Sequence, residues 1–283
     1  MSRLNKNPII SAEELKQVDP RDYMLFDVST GVDAYTNFLD AHLEGAQFVD
    51  LESQLSARDA NPKHGGRHPL PALADFSLLL SSLGIKPESN VIIYDRKSGA
   101  NAATRFWWML KSIGHAHAQV LDGGYQMGVE VGLPVASGAA IAQPSSEYKA
   151  QAWLWPTINL PELVEVVQNQ EAIIIDVREG FRYQGISEPI DLVAGHIPGA
   201  YNIFYGENLL SDGTFKPKVE LQARYASLMA EGKPIIVHCG SGVSACHTIL
   251  ALLQAGLRLP TLYVGSWSEW SRNLELFDLE EEE

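Results

Sequence analysis

The sequence predicts an α/β protein with mainly parallel sheets, arranged as two tandem copies of one unit. Two observations carry this reading: short apolar, β-branched runs alternate with helical patterns, and the second half repeats the motifs of the first. Continuous apolar runs suit strands buried on both faces, and their alternation with helices is the arrangement of a parallel sheet. A third observation sets the scale. With 283 residues, 46% apolar and 20% charged, the chain has the composition of a soluble globular protein and the length for about two domains.

The elements follow in order. Ser11-Ala-Glu-Glu14 has the spacing of a capping box and opens a helix before Leu15. Strand runs come at Tyr23–Phe26 and Val91–Tyr94. From Gly132 to Pro156 the chain is rich in Pro, Ala and Ser and shows neither period, so it reads as a connection. The predicted divisions are residues 1–140, a linker at 141–156, and residues 157–283. Asn159-Leu-Pro161 supplies a cap and an early proline for the next helix, and further strand runs lie at Ala172–Ile175, Pro234–Val237 and Thr261–Val264. The repeat binds these parts together: Phe26-Asp27-Val28 answers Ile175-Asp176-Val177, and Ala41–Ala46 answers Gly195–Ala200. Ile92 through Gly99 answers Ile235 through Gly242, and Asp122-Gly123 answers Val264-Gly265.

Charge excludes some functions. With 21 Lys and Arg against 35 Asp and Glu, the net charge of −14 has the wrong sign for a nucleic-acid binder. The acidic end, Asp278 and Glu280 to Glu283, reads as a solvated tail. No run of 18 apolar residues suggests a membrane span. Met1 to Ile10 leads into a capped helix instead of a secretory leader, so a cytoplasmic location is expected. Cys239 and Cys246 are too few for a disulfide framework.

The chemistry concentrates where the strand Pro234–Val237 runs into His238-Cys239-Gly240-Ser241-Gly242-Val243-Ser244-Ala245, followed by the helical pattern of Ile249, Leu250, Leu252 and Leu253. A cysteine between a buried strand and a helix sits where successive N–H groups can converge on its sulfur, and such places lower a thiol's pKa. Gly240 and Gly242 permit the tight turn, while the Ser241 and Ser244 hydroxyls add donors. Cys246, two turns into the helix, reads as core packing. A zinc site from His238, Cys239, Cys246 and His247 lacks the short cysteine knuckle, and no metal or cofactor is called for. A phosphatase loop would need arginine at position 245, where this chain has alanine.

Four motifs together, Asp176-Val-Arg178, Gly195-His-Ile-Pro-Gly-Ala200, Cys239–Ala245 and Gly265-Ser-Trp-Ser-Glu-Trp270, make nearly the whole chain resemble the rhodanese family. The resemblance is to its two-domain 3-mercaptopyruvate and thiosulfate sulfurtransferases. It implies a five-stranded parallel sheet flanked by helices in each half, catalysis in the C-terminal copy, and an active site at the interface. It also implies that Cys239 carries sulfur as a persulfide. The neutral Gly240 and Ser241 are similar to the mercaptopyruvate type, since thiosulfate is a dianion and favours basic residues there. Gly240, Gly242, Val243 and Ser244 are then expected to bind substrate.

Arg182 matches the first of two substrate-binding arginines in the family. The second falls near Ile190-Asp191, where this chain has none, and Arg178, Arg67 or Lys97 are the available substitutes. The resemblance further implies a proton relay of Asp50, His68 and Ser241, although Asp50 also suits a helix cap. His42 and His196 belong to the repeated motif and read as structural. The first copy has Asp95-Arg96 where the second has His238-Cys239, so it cannot form a persulfide. The expected function moves sulfur from 3-mercaptopyruvate through Cys239 to a small thiol, cyanide or a thioredoxin-like acceptor, releasing pyruvate. A thiosulfate:cyanide sulfurtransferase and a silent binding module are the alternatives.

Overall fold

Apolar strand runs demand cover on both faces, and the computed structural model meets that demand with two parallel sheets. It describes residues 7–58, 61–140, 144 and 147–276. The N-terminal residues 1–6, positions 141–143 and 145–146 of the expected linker, and the acidic end from Asp278 lie outside the described residues.

The first unit runs β1 (Ile9–Ile10), α1 (Ala12–Leu15), β2 (Met24–Ser29), α2 (Ala34–Asp40), β3 (His42–Leu43), β4 (Ala46–Asp50) and α3 (Leu51–Gln54). It continues with α4 (Leu73–Ser82), β5 (Val91–Tyr94), α5 (Ala102–Ser112), β6 (Ala118–Leu121), α6 (Gly124–Glu130) and β7 (Val135–Ala136). The second unit runs β8 (Thr157–Ile158), α7 (Leu160–Asn169), β9 (Ile173–Asp176), α8 (Gly180–Tyr183) and β10 (Tyr201–Asn202). It ends with α9 (Lys218–Ala230), β11 (Ile235–His238), α10 (Ser244–Gln254), β12 (Thr261–Tyr263) and α11 (Ser266–Trp270).

The two five-stranded sheets have one topology. Strand order is β1-β6-β5-β2-β4 in the first and β8-β12-β11-β9-β10 in the second, read from the corresponding edge. All neighbours within both are parallel. Helix starts follow the caps legible in the sequence: Ser11 and Glu14 close a capping box on α1, and Asn159 and Glu162 close one on α7.

Helix α5 shows how the units join. Ten of its eleven residues are buried, with Lys111 the exception, because it packs on its own sheet and against α10 of the other unit. One apolar core is therefore continuous across the boundary, from Phe26, Ile93 and Trp108 to Ile175, Val237 and Ile249. The connecting segment is strapped to the first unit. Leu154 N–H donates to Ser112 O at 2.6 Å, Ala150 N–H to Ser77 Oγ at 3.1 Å, and the Trp153 and Trp155 rings stand 5.4 and 5.5 Å from those of Phe76 and Trp107. Among the described residues no helix is long and apolar enough to cross a membrane.

A second junction positions the site. The loop before His68 docks on the C-terminal end of the other unit: Gly65 N–H donates to Glu269 Oε1 at 2.6 Å, and Asn273 Nδ2 donates to Lys63 O at 3.0 Å. Gly66, at φ +76°, lies so close to the Gly265 carbonyl that a Cβ there would collide with it.

Candidate active site

Strand β11 ends at His238 and delivers Cys239 to the turn that begins α10. Helix α11 fixes this turn from one side. Cys239 O accepts from Trp267 N–H at 3.0 Å, Gly240 O accepts from Ser268 N–H at 2.8 Å, and Cys239 N–H donates to Ser266 Oγ at 3.2 Å. Gly242 has φ +73°, and a Cβ there would stand 2.5 Å from Val264 O, so the turn requires glycine. Cys239 is 2% exposed and lies in the wall of a cavity of about 200 Å³ between the units. Gly240, Ser241, Val243 and Ser244 share that wall. Gly242, expected to bind substrate, does not line it; its backbone is turned toward Val264 and the first unit instead. A larger cleft of about 620 Å³, between α3 and α4, has neither cysteine nor histidine in its wall.

The first unit contributes His68, brought in by the docked loop. Its Nδ1 lies 2.7 Å from Ser241 Oγ and its Nε2 lies 2.9 Å from Glu52 Oε2. A carboxylate only accepts, so Nε2 directs a proton to Glu52, and Nδ1 shares the second hydrogen bond with the Ser241 hydroxyl. Glu52 in turn accepts from Thr30 Oγ1 at 3.0 Å, and the hydrogen bond from His68 holds its carboxyl below the usual range. Asp50 does not take the place expected of it. Its carboxylate caps α3, accepting from Ser53 N–H at 2.8 Å and Ser53 Oγ at 2.6 Å, and Glu52 is the carboxylate on His68. The chain is Glu52–His68–Ser241.

The arginines sort by what they already hold. Arg178 is spent: it grips Asp176 with Nε and Nη2, donates to Gly195 O at 2.7 Å and packs its guanidinium 4.8 Å over the Trp267 ring. Burial opposes the Asp176 charge, yet the Arg178 guanidinium holds its carboxyl below the usual range. Arg182 donates to Glu188 at 2.8 to 3.1 Å and meets Asp191 at 3.4 Å. Arg67, from the first unit, pairs with Asp191 as well. Nη2 atoms of Arg182 and Arg67 each lie 3.3 Å from where a Gly240 Cβ would be, so two guanidiniums meet over the cysteine loop. Asp191 carries a third arginine, Arg272, at 3.2 Å. Lys97 does not line the cavity.

The remaining expected residues have other surroundings. Cys246 is wholly buried, 3.4 Å from Gly242 O, and burial pushes its thiol up to about 12. His247 stacks 4.5 Å from the Phe215 ring, and burial pushes it down to about 3. Among the described residues no cluster of three or more His, Cys, Asp or Glu could hold a metal ion. His42 and His196 repeat one arrangement: each Nδ1 lies 2.8 Å from a carbonyl, of Phe38 and Tyr183, and each ring stacks on that same residue's ring.

Two parallel α/β units of one topology, with a buried cysteine at a strand-to-helix turn facing a histidine and an arginine from the other unit, define a tandem-domain protein with one cysteine-centred cleft. The rhodanese-like domain model matches residues 11–128 and 159–273, and the chain belongs to the rhodanese family. It is 39% identical to a probable 3-mercaptopyruvate sulfurtransferase of Pseudomonas aeruginosa, over 92% of this chain and 90% of that one. It is 33% identical to a thiosulfate sulfurtransferase of Gallus gallus, over 84% of this chain and 81% of that one. The solved 3-mercaptopyruvate sulfurtransferase of Leishmania major is similar with a TM-score of 0.81 at 29% identity, covering 96% of this chain and 76% of that one. With such kin over most of its length, the chain is an enzyme of the sulfurtransferase class.

Proposed function

We propose that the chain transfers sulfur from 3-mercaptopyruvate through a persulfide on Cys239. The single observation that carries the donor assignment is the pair of guanidiniums, Arg182 and Arg67, above Gly240, each already partnered by a carboxylate. Glu188 and Asp191 largely cancel their charge, so the cavity offers hydrogen-bond donors to a singly charged keto acid and little net attraction to the thiosulfate dianion. A volume of about 200 Å³ admits a small acid beside the cysteine.

In the first step the Cys239 thiolate attacks the donor's sulfur. The new S–S bond forms as the donor's C–S bond breaks, and that bond's electron pair leaves on pyruvate as its enolate. Arg182 and Arg67 hold the carboxylate and keto oxygen, and the Ser241 hydroxyl, backed by His68 and Glu52, supplies the proton that turns enolate into pyruvate. In the second step an acceptor's anion takes the outer sulfur and Cys239 departs as thiolate. Small thiols, cyanide and a thioredoxin-like dithiol are the acceptors this chemistry suits.

The test is intact-mass measurement after exposure to 3-mercaptopyruvate without acceptor. A gain of one sulfur atom, lost on adding cyanide and absent in Cys239→Ser, is expected; no gain would reject sulfur transfer and leave a binding module. A higher kcat/KM for thiosulfate than for 3-mercaptopyruvate would reject the donor.

A further inference from the structure

Strands β10, β9 and β11 end side by side, and the backbone carries the alignment past their last residues. Tyr205 N–H donates to Val177 O and Val177 N–H donates to His238 O, each at 3.0 Å. Tyr205 is thereby held at the same end of the sheet as Cys239, the end where parallel α/β sheets bind their ligands. Its ring stands 4.9 Å from that of Phe204 and 5.7 Å from that of His247 on α10. The residue lines the Cys239 cavity together with Arg67, Glu179 and Arg182.

A phenylalanine would make these ring contacts equally well. What tyrosine adds is a hydroxyl, and no described group forms a hydrogen bond with it. Its charged neighbours on the cavity wall are already engaged: Arg178 with Asp176, Arg182 with Glu188, Arg67 with Asp191, and His68 with Glu52 and Ser241. Asn101 and Ser244 also line the cavity, but they are short side chains at the starts of α5 and α10, where the local backbone competes for them. A tyrosine hydroxyl, at the far edge of a rigid ring, has no such recourse. Burial, with the Glu179 charge beside it, holds the phenol above its ordinary range, so at neutral pH the group is protonated and donates.

We infer that Tyr205 selects a 2-keto acid: its hydroxyl donates a hydrogen bond to the donor's keto oxygen, and to the enolate oxygen which that becomes as sulfur leaves. This rests on the proposed transfer from 3-mercaptopyruvate. A guanidinium fork matches the two oxygens of a carboxylate, which suits the arginines to that end of the molecule, whereas a hydroxyl offers one proton to one oxygen. Negative charge grows on the keto oxygen during the reaction, so a donor already in place there strengthens toward the transition state.

The test compares wild type with Tyr205→Phe, which keeps the ring contacts and removes the hydroxyl. Sulfur loading of Cys239 at saturating 3-mercaptopyruvate, followed by intact mass in quenched samples, should slow about tenfold. Discharge of the loaded protein to cyanide, which has no keto oxygen, should stay within about twofold. Equal loading rates overturn the inference, and so does a discharge slowed as much as loading. A second measurement needs no sulfur transfer: protection of Cys239 from iodoacetamide, read by peptide mass. Tyr205→Phe should require about fivefold more pyruvate for half-protection, while propionate, with the same carboxylate and no keto oxygen, shifts less than twofold. Equal shifts for the two acids, or a wild type that pyruvate protects no better than propionate, overturn the inference. A wild type that takes up no sulfur would reject the proposed function, and the pyruvate competition would still decide on the hydroxyl.

Discussion

The two Gly-rich turns that follow β5 and β11 are the same device with different contents. In the first unit Asp95 puts its own carboxylate into the turn: Oδ1 accepts from Lys97 N–H and Gly99 N–H at 2.8 Å, and Oδ2 accepts from Asn101 N–H at 3.1 Å and Ala103 N–H at 3.2 Å. Burial raises the pKa of that carboxyl while the four N–H groups pull against it. The following Arg96 turns away, its guanidinium 4.1 Å over the Tyr125 ring and bonded to the Asn37 and Ala41 carbonyls. In the second unit no described carboxylate accepts from the turn, and Cys239 follows the strand instead. Gly99 and Gly242 hold nearly the same φ, +69° and +73°, so the backbone device is retained. A turn of convergent N–H groups needs an anion. One copy builds the anion in; under the proposed function the other leaves the place to the Cys239 sulfur.

That contrast yields its sharpest prediction in a pair of variants. Cys239→Ala should lose at least about a thousandfold in kcat/KM while shifting stability by only about 1 kcal/mol. Asp95→Ala should do the reverse, orphaning four N–H groups, two of them buried, at a cost on the order of 3 kcal/mol, with activity per folded molecule largely kept. Thiocyanate formation and urea midpoints measure the two. Comparable stability losses in both variants would show that the turns are not filled differently.

A second asymmetry is Asp191 of the second unit, a carboxylate with a fully buried side chain beneath three arginines, Arg67 of the first unit and Arg182 and Arg272 of its own. Asp191→Asn should leave Arg67 without its carboxylate above Gly240, while Arg182 keeps Glu188. The ratio of kcat/KM for thiosulfate to that for 3-mercaptopyruvate is then expected to rise about tenfold, from about 1.4 kcal/mol of added attraction for the dianion. An unchanged ratio would mean that Asp191 does not set the charge of the cleft.

Glu52 and Asp50 share one helix start and divide its duties. Glu52→Gln should lower kcat by about tenfold and weaken its pH dependence, because the His68 ring loses its charged partner. Asp50→Asn should leave kcat within about threefold and cost up to about 1 kcal/mol in stability as a weakened cap. The reverse pattern in kinetics would return the relay to Asp50.

How far the sequence carried depended on the range of the interactions involved. Strand runs, both capping boxes and the duplication are local patterns, and the identical strand orders follow from them. The cysteine turn was legible for the same reason, since strand, glycines and helix are contiguous. The relay carboxylate was not. Asp50 and Glu52 are two residues apart, and the choice between them is made by where α3 starts: an aspartate before Leu-Glu-Ser spends itself on the Ser53 N–H and leaves Glu52 for His68. Reading Asp50 as the cap was the available signal. Arg67 could be named only as one of three substitutes, because its place over Gly240 depends on the Gly65 and Gly66 contacts with Glu269 and Gly265, two hundred residues away in sequence.

The smallest expected effect tests a third place where the copies differ, the exit of β6 against that of β12. There Asp122 stands where the second unit has Val264. Its Oδ1 accepts from Phe215 N–H of the other unit at 2.8 Å, and burial pushes its carboxyl up to about 6. A carboxyl whose folded pKa is raised binds its proton more tightly in the native state than in the unfolded chain. Its contribution to stability is therefore present at low pH and lost as pH rises through about 6. Asp122→Asn keeps an acceptor for Phe215 and cannot ionise, so it should be more stable than wild type above that pH by about 1 kcal/mol, allowing for solvent screening, and should converge with it near pH 4. Urea midpoints across that range measure the gap. A constant gap would mean that Asp122 does not titrate at the junction, and that the valine of the second unit differs from it only in shape.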